Sequence, residues 1–252
     1  MKIGIVGSEG HVGQAMKELF PQAVCLDLNQ GSKEEINQCH TVFVCVPTPS
    51  REDGSCNTDI VESVLAWLDV PLIILRSTVY VGFTEAMMAK YQKEIVFQPE
   101  YYGETVDHPF RDLSARTWLT FGGTDQGIHL AIRTYQSVYN SNVIIRRGDA
   151  RSIELCKYME NCFLATKVTF CNEMKDLADA LGADYDVARE AWIADPRIGS
   201  SHTFVYDDDR GFGGSCLPKD LASLIHQAEE VGADATLLKS IREKNKKYRK
   251  NG

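Results

Sequence analysis

Apolar and polar residues alternate in two rhythms along the first half of the chain. Short runs rich in β-branched and aromatic residues recur as KIGIV, AVCLDL, TVFVCV, LIIL, EIVFQ, RTWLTFG and NVIIR. The stretches between them, among them GQAMKELF, DIVESVLAWL, GFTEAMMAKYQ and DQGIHLAIRTYQSVY, read as helices. Strands this apolar are buried on both faces, and helix-length connections bring successive strands in parallel, so the pattern predicts a doubly wound α/β domain. From Arg151 the rhythm changes. RSIELCKYMENCFLATKVTFCNEMKDLADALG holds apolar positions three and four apart with no glycine or proline until Gly182, which predicts one long helix. YDVAREAWIA, LPKDLASLIHQAEEVG and ATLLKSIREKNKKYRK predict three more helices, and a polar loop runs from HTF to FGG. The expected organisation is a parallel-sheet domain over 1–147 and a smaller all-helical domain over 148–252, with the boundary at RRGDA.

Composition narrows the partners. A net charge of −8 on 252 residues argues against a duplex nucleic-acid binder, whose affinity rests on Lys and Arg neutralising phosphates. The basic tail KNKKYRKNG reads as a solvated helix end. The N-terminus carries no apolar signal region, and the longest apolar run, VPLIIL, is far short of the roughly 20 residues of a membrane span. Eight cysteines are scattered without a C-x-x-C pair, and several lie inside apolar runs, so they read as thiols of a reducing compartment rather than a disulfide framework or a zinc site. A cytoplasmic location without membrane attachment is expected. The acidic run Asp207-Asp208-Asp209 reads as solvated loop carboxylates, and no metal is expected.

The first strand-to-helix turn holds Gly7, Gly10 and Gly13 spaced G-x-x-G-x-x-G, one residue longer than the usual dinucleotide fingerprint. Such a turn lets the backbone approach a pyrophosphate and offers amides at a helix N-terminus. Asp27 ends the second strand 20 residues after Gly7, where a carboxylate accepts both ribose hydroxyls of NAD and repels the extra phosphate of NADP. The domain therefore reads as Rossmann-like and NAD-binding.

On the long helix Lys157 and Asn161 are four apart, with Glu154 one turn earlier. An ammonium beside an amide suits a developing oxyanion. The plainer reading is a surface ion pair between Glu154 and Lys157. Pro218 favours the first turn of a helix, so Cys216 falls at or near its N-cap, where helix amides favour an anionic sulfur, and the preceding glycines allow close approach by a substrate.

GFGGSCLPKD resembles the cysteine motif of the UDP-glucose and GDP-mannose dehydrogenases. VPTPSREDGSCNTD, RSTVYVG, QPEYYGE, ELCKYMENCFLATKVTFCNE and DPRIG resemble further segments of that family, so the resemblance runs over essentially the whole chain. It implies oxidation of a nucleotide sugar's primary alcohol to a carboxylate with two NAD, UDP-glucose being the expected substrate. Cys216 would hold the aldehyde as a thiohemiacetal and then as a thioester. Lys157 and Asn161 would stabilise the oxyanion, Asp220 with Thr78 would position the hydrolytic water, and Glu104 would give acid–base help. Gly7, Gly10, His11, Val12, Gly13, Asp27, Pro47, Thr48, Thr78, Glu100 and Lys219 would contact the cofactor, Glu100 alternatively the substrate. A homodimer through the apolar face of the long helix is expected.

The chain also departs from the family. Tyr80 stands where proline is common, Tyr101 where phenylalanine is common, and the 252 residues end before the family's second α/β domain. A short form, a fragment and a pseudo-enzyme are three readings of that ending, and a separate chain supplying the missing domain is one expected partner. Two rivals remain. A two-domain 3-hydroxyacid dehydrogenase would share the lysine–asparagine pair but needs no thiol; a non-catalytic NAD-binding module would have little use for Lys157, Asn161, Cys216 and Asp220 together.

Overall fold

The computed structural model describes residues 1–102 and 116–249. The chain divides into two compact units, one of Met1–Pro49 with Cys56–Lys157, the other of Ser50–Ser55 with Tyr158–Gly252.

In the first unit, β1 (Ile3–Val6), β2 (Val24–Leu26), β3 (Thr41–Val44), β4 (Leu72–Leu75), β5 (Ile95–Phe97), β6 (Trp118–Gly122) and β7 (Ile144–Gly148) form one sheet in the order β2-β1-β3-β4-β5-β6-β7. Six lie within the apolar runs, and β7 begins in NVIIR and runs on to Gly148. Alternate residues face opposite sides, as the two-residue repeat of a strand requires. Val42, Val44, Ile73, Leu75 and Phe97 pack with α3 (Asp59–Trp67) and α4 (Phe83–Tyr91). Ile5, Phe43, Ile74, Val96 and Phe121 pack on the other face with α1 (His11–Leu19) and α5 (Asp125–Tyr135). Fully burying side chains of this kind contributes about 1.5–3 kcal/mol each.

The sheet is mostly parallel, as the pattern predicts, with one reversal. The sheet is parallel from β2 through β5, but β6 runs antiparallel to β5, with Phe97 opposite Gly122, and β7 pairs parallel with β6. A continuous apolar run marks a strand buried on both faces and carries no record of its direction, so a reversed pair at one end of a sheet leaves the pattern unchanged. β7 is a mostly exposed edge strand carrying Arg146 and Arg147, charges that discourage pairing with another chain. The four-residue α2 (Lys33–Ile36), capped by Ser32, was not legible in the periodicity.

The second unit is helical. α6 (Ala150–Leu181) is the long helix, and the division between units falls within it. It is followed by α7 (Tyr185–Ile193), α8 (Leu217–Glu230) and α9 (Thr236–Arg249). Cys162 and Ala165 of α6 pack with Leu221 and Ile225 of α8, Ile241 of α9 and Phe212 of the preceding loop. Among the described residues, no helix is long and apolar enough to cross a membrane.

Candidate functional site

The strand order reverses at β1, which lies between β2 and β3, and the carboxyl ends of such strands are where open α/β sheets take ligands. The glycine turn sits there, and its three glycines have different reasons to be glycine. Gly7 has φ +82°, and a Cβ on it would stand 2.9 Å from the Cys45 backbone. A Cβ on Gly13 would lie 2.0 Å from the Gly7 carbonyl oxygen, so Gly13 lets α1 close onto the turn. Gly10, the N-cap of α1, meets nothing nearer than 3.5 Å and supplies no capping side chain. Its missing Cβ is not required by the fold, so this position leaves room for a ligand to approach the backbone.

Asp27 follows β2. Its Oδ2 accepts the Glu9 N–H at 2.8 Å and its Oδ1 the Leu28 N–H at 2.8 Å, so the carboxylate is held against the glycine turn. His11 and Val12 open α1; the His11 ring lies 4.5 Å from that of Tyr102, and Val12 packs on the sheet core. Pro47 is exposed and Thr48 buried just beyond β3. An uncapped helix N-terminus, a turn with room at Gly10 and a fixed carboxylate at the end of β2 together fit a dinucleotide.

Thr78 and Glu100 follow β4 and β5. The Thr78 carbonyl accepts from the Cys56 thiol at 3.5 Å. Glu100 is buried in an ionic cluster: Oε2 accepts from Arg76, Oε1 from the Tyr101 and Tyr102 N–H groups, and Arg116 lies 3.7 Å away. Arg76 also donates to the carbonyls of Gln98 at 3.2 Å and Pro99 at 3.3 Å, tying β4 to the segment after β5. Lys157 is buried, with Nζ 4.7 Å from the centroid of the Tyr101 ring, so the residue that departs from the family's phenylalanine still presents an aromatic face to a cation. Glu104 lies outside the described residues.

Glu154 does not form the expected surface ion pair. It is fully buried, and its carboxylate accepts the Gly82 N–H at 2.5 Å and the Thr84 N–H at 2.8 Å. Gly82, the N-cap of α4, has no side chain to cap the helix, and Glu154 satisfies those helix-end amides from α6. Burial pushes the Glu154 carboxyl above its ordinary range, against the lowering effect of these hydrogen bonds.

In the second unit, Cys216 is the N-cap of α8, exposed, with Pro218 in the first turn. Its carbonyl accepts the Asp220 N–H at 2.9 Å, the first turn of the helix. Asp220 is only 1% exposed; Oδ2 accepts from Asn161 Nδ2 at 2.5 Å and Oδ1 from Lys219 Nζ at 2.6 Å. The structure thus joins Asn161, Asp220 and Lys219 in one chain of charge-assisted hydrogen bonds one turn from the exposed thiol. Gly214, with φ +76°, has open space where a Cβ would stand.

Two buried asparagines that the sequence did not single out hold the loop ahead of Cys216. Asn245 accepts the Phe212 N–H at 2.7 Å and donates to the Phe212 carbonyl at 2.9 Å. Asn172 Oδ1 accepts from Arg210 Nε at 2.7 Å and from the Gly211 N–H at 3.1 Å. The basic tail is therefore not wholly solvated: Asn245 and Tyr248 are buried, because the helix turns one face inward to this loop. Of the acidic run, Asp209 pairs with Arg249, and among the described residues no cluster of metal-capable side chains forms.

The sequence pattern of the NAD binding domain of the UDP-glucose/GDP-mannose dehydrogenase family matches residues 14–140, and that of the family's central domain matches residues 151–247. A UDP-glucose 6-dehydrogenase of Pseudomonas aeruginosa is 31% identical over 232 residues, 84% of this chain and 49% of the relative. A GDP-mannose 6-dehydrogenase of Pseudomonas syringae pv. tomato is 27% identical, over 95% of this chain and 58% of the relative. The fold is that of a UDP-glucose dehydrogenase from the archaeon Pyrobaculum islandicum, with a TM-score of 0.84 at 24% identity over 97% of this chain and 68% of that one. The chain spans about half the length of the curated relatives it matches.

Proposed function

Because the chain belongs to the UDP-glucose/GDP-mannose dehydrogenase family, we propose that it oxidises the primary alcohol of a nucleotide sugar, UDP-glucose, to the carboxylate. NAD, when bound, accepts the hydride in each of two oxidations. After the first, the Cys216 sulfur adds to the aldehyde carbon and gives a thiohemiacetal; loss of the second hydride leaves a thioester, and water cleaves it to the carboxylate and the free thiol. Lys157 and Asn161 donate to the oxyanion, Asp220 and Thr78 orient the water, and Glu104 assists proton transfer. The observation that carries the reading is the exposed Cys216 at a helix N-terminus, one turn from a buried carboxylate already bonded to Asn161.

The same reading includes a homodimer, supported by Met159, Phe163, Phe170, Leu177 and Leu181, which leave apolar surface exposed along α6; a monomer by sedimentation velocity would remove it. A cytoplasmic location fits eight cysteines that are all free.

The test is NADH formation from NAD and UDP-glucose, with GDP-mannose alongside, for the native chain and Cys216→Ala. Two NADH per sugar, with net formation of the acid lost in the variant, is expected. One NADH per substrate, unaffected by the variant, would overturn the thiol mechanism in favour of a single-hydride dehydrogenase.

A further inference from the structure

The residue that lengthens the glycine turn brings a second carboxylate to the ribose end of the cofactor region. Glu9 sits immediately before Gly10, and its N–H is the group that donates to Asp27 Oδ2 at 2.8 Å. Its side chain is fixed by two partners: Oε1 accepts from Lys17 Nζ of α1 at 2.8 Å and from Gln30 Nε2 at 2.6 Å. Gln30 Nε2 also donates to Ser8 Oγ at 2.9 Å, so the glutamine bridges the turn to the segment after β2. Glu9 and Asp27 line a single open cavity of about 310 Å³ with Leu28, Asn29 and Gln30. The hydrogen bonds from Lys17 and Gln30 hold the Glu9 carboxyl below the usual carboxylate range, so it is charged at neutral pH.

A carboxylate at the end of β2 selects NAD because it accepts the ribose hydroxyls and repels a phosphate placed there. Glu9 adds a like charge to the same cavity and keeps Lys17, whose charge also acts on Asp27, engaged in an ion pair. We propose that Glu9 is a second cofactor-specificity residue, which bars the 2′-phosphate of NADP both by its own charge and by occupying Lys17. The proposal deepens the NAD assignment and rests on it. Glu9→Gln keeps an oxygen that can accept from Lys17 and Gln30, so it removes the charge while preserving the local hydrogen bonding.

Isothermal titration of NAD and NADP into the native chain, Glu9→Gln and Lys17→Met reads the ratio of the two dissociation constants. The native chain is expected to favour NAD. In Glu9→Gln the preference should fall about tenfold at low salt, and by less at high salt, because exposed charges are screened over about 10 Å at 0.1 M. In Lys17→Met, which leaves Glu9 unneutralised, the preference for NAD should rise. A Glu9→Gln ratio within twofold of native at low salt overturns the proposal. If that variant does not fold, a Lys17→Met ratio equal to native overturns it instead. A native chain that binds neither nucleotide removes the NAD assignment and this proposal together, whereas NAD binding with an unmoved ratio removes only the role of Glu9.

Discussion

At the scale of single residues, the glycine turn separates folding from binding. Gly13→Ala forces a Cβ to within 2.0 Å of the Gly7 oxygen, while Gly10→Ala meets only ordinary contact at 3.5 Å. Gly13→Ala should therefore lower the melting temperature and abolish NAD binding. Gly10→Ala should melt within about 2 °C of native, as a near-neutral substitution does, yet bind NAD at least tenfold more weakly; calorimetric melting beside NAD titration distinguishes them. Equal melting losses in both variants would reject this division of roles. Asn245 offers a second residue-scale test. Asn245→Ala leaves the Phe212 N–H and carbonyl without their buried partner, which costs about 1–3 kcal/mol. Urea unfolding measures the loss, and its absence would mean that the loop does not depend on α9.

At the scale of elements, the hydrophobic rhythm carried most of the fold. The strands overlap the seven apolar runs, and α1 and α3 to α9 overlap the segments read as helical, because a buried strand and an amphipathic helix space their apolar positions differently. What the rhythm omits is equally specific. α2 is four residues long and completes barely one turn, too short to register as a period. The reversal of β6 is a choice of chain direction. Glu154 looked like half of a local ion pair because Lys157 is its neighbour in sequence, but its partners are 70 and 72 residues away. Likewise Asn245 sits in a basic tail and serves a loop 33 residues earlier. By contrast, the placement of Cys216 and Asp220 at the start of α8 and of Asn161 on α6 was readable, because Pro218 marks a first helical turn and the long helix shows its period.

Glu154 also makes the junction of α4 and α6 sensitive to pH. Its folded-state pKa is raised, so the folded chain holds that proton more tightly than the unfolded chain. The stability it contributes is full below the ordinary glutamate value of about 4.3 and is lost as pH rises through the higher folded value. Glu154→Gln keeps an oxygen acceptor and cannot ionise. The stability of the native chain relative to this variant should therefore decrease from about pH 4 towards pH 7, as followed by urea midpoints. A difference that stays flat across that window would show that the carboxyl is not titrating in place.

At the scale of the whole molecule, the distribution of the eight cysteines sorts one element into distinct chemical classes. Cys39, Cys45, Cys56, Cys162 and Cys171 are buried, Cys25 is half-buried, and Cys156 and Cys216 are exposed. Burial pushes the Cys45 and Cys162 thiols up to about 12, against the lowering effect of Arg76 at Cys45 and with a further push from Asp220 at Cys162. Brief alkylation of the folded chain followed by peptide mass spectrometry should accordingly mark Cys156 and Cys216 ahead of the buried five; modification of Cys45 or Cys162 at a similar rate would contradict the packing. In the language of synthesis, the folded chain supplies its own protecting groups. With Cys156 replaced by serine, a spin label, dye or affinity handle can be directed to position 216 without stripping the chain of its other thiols.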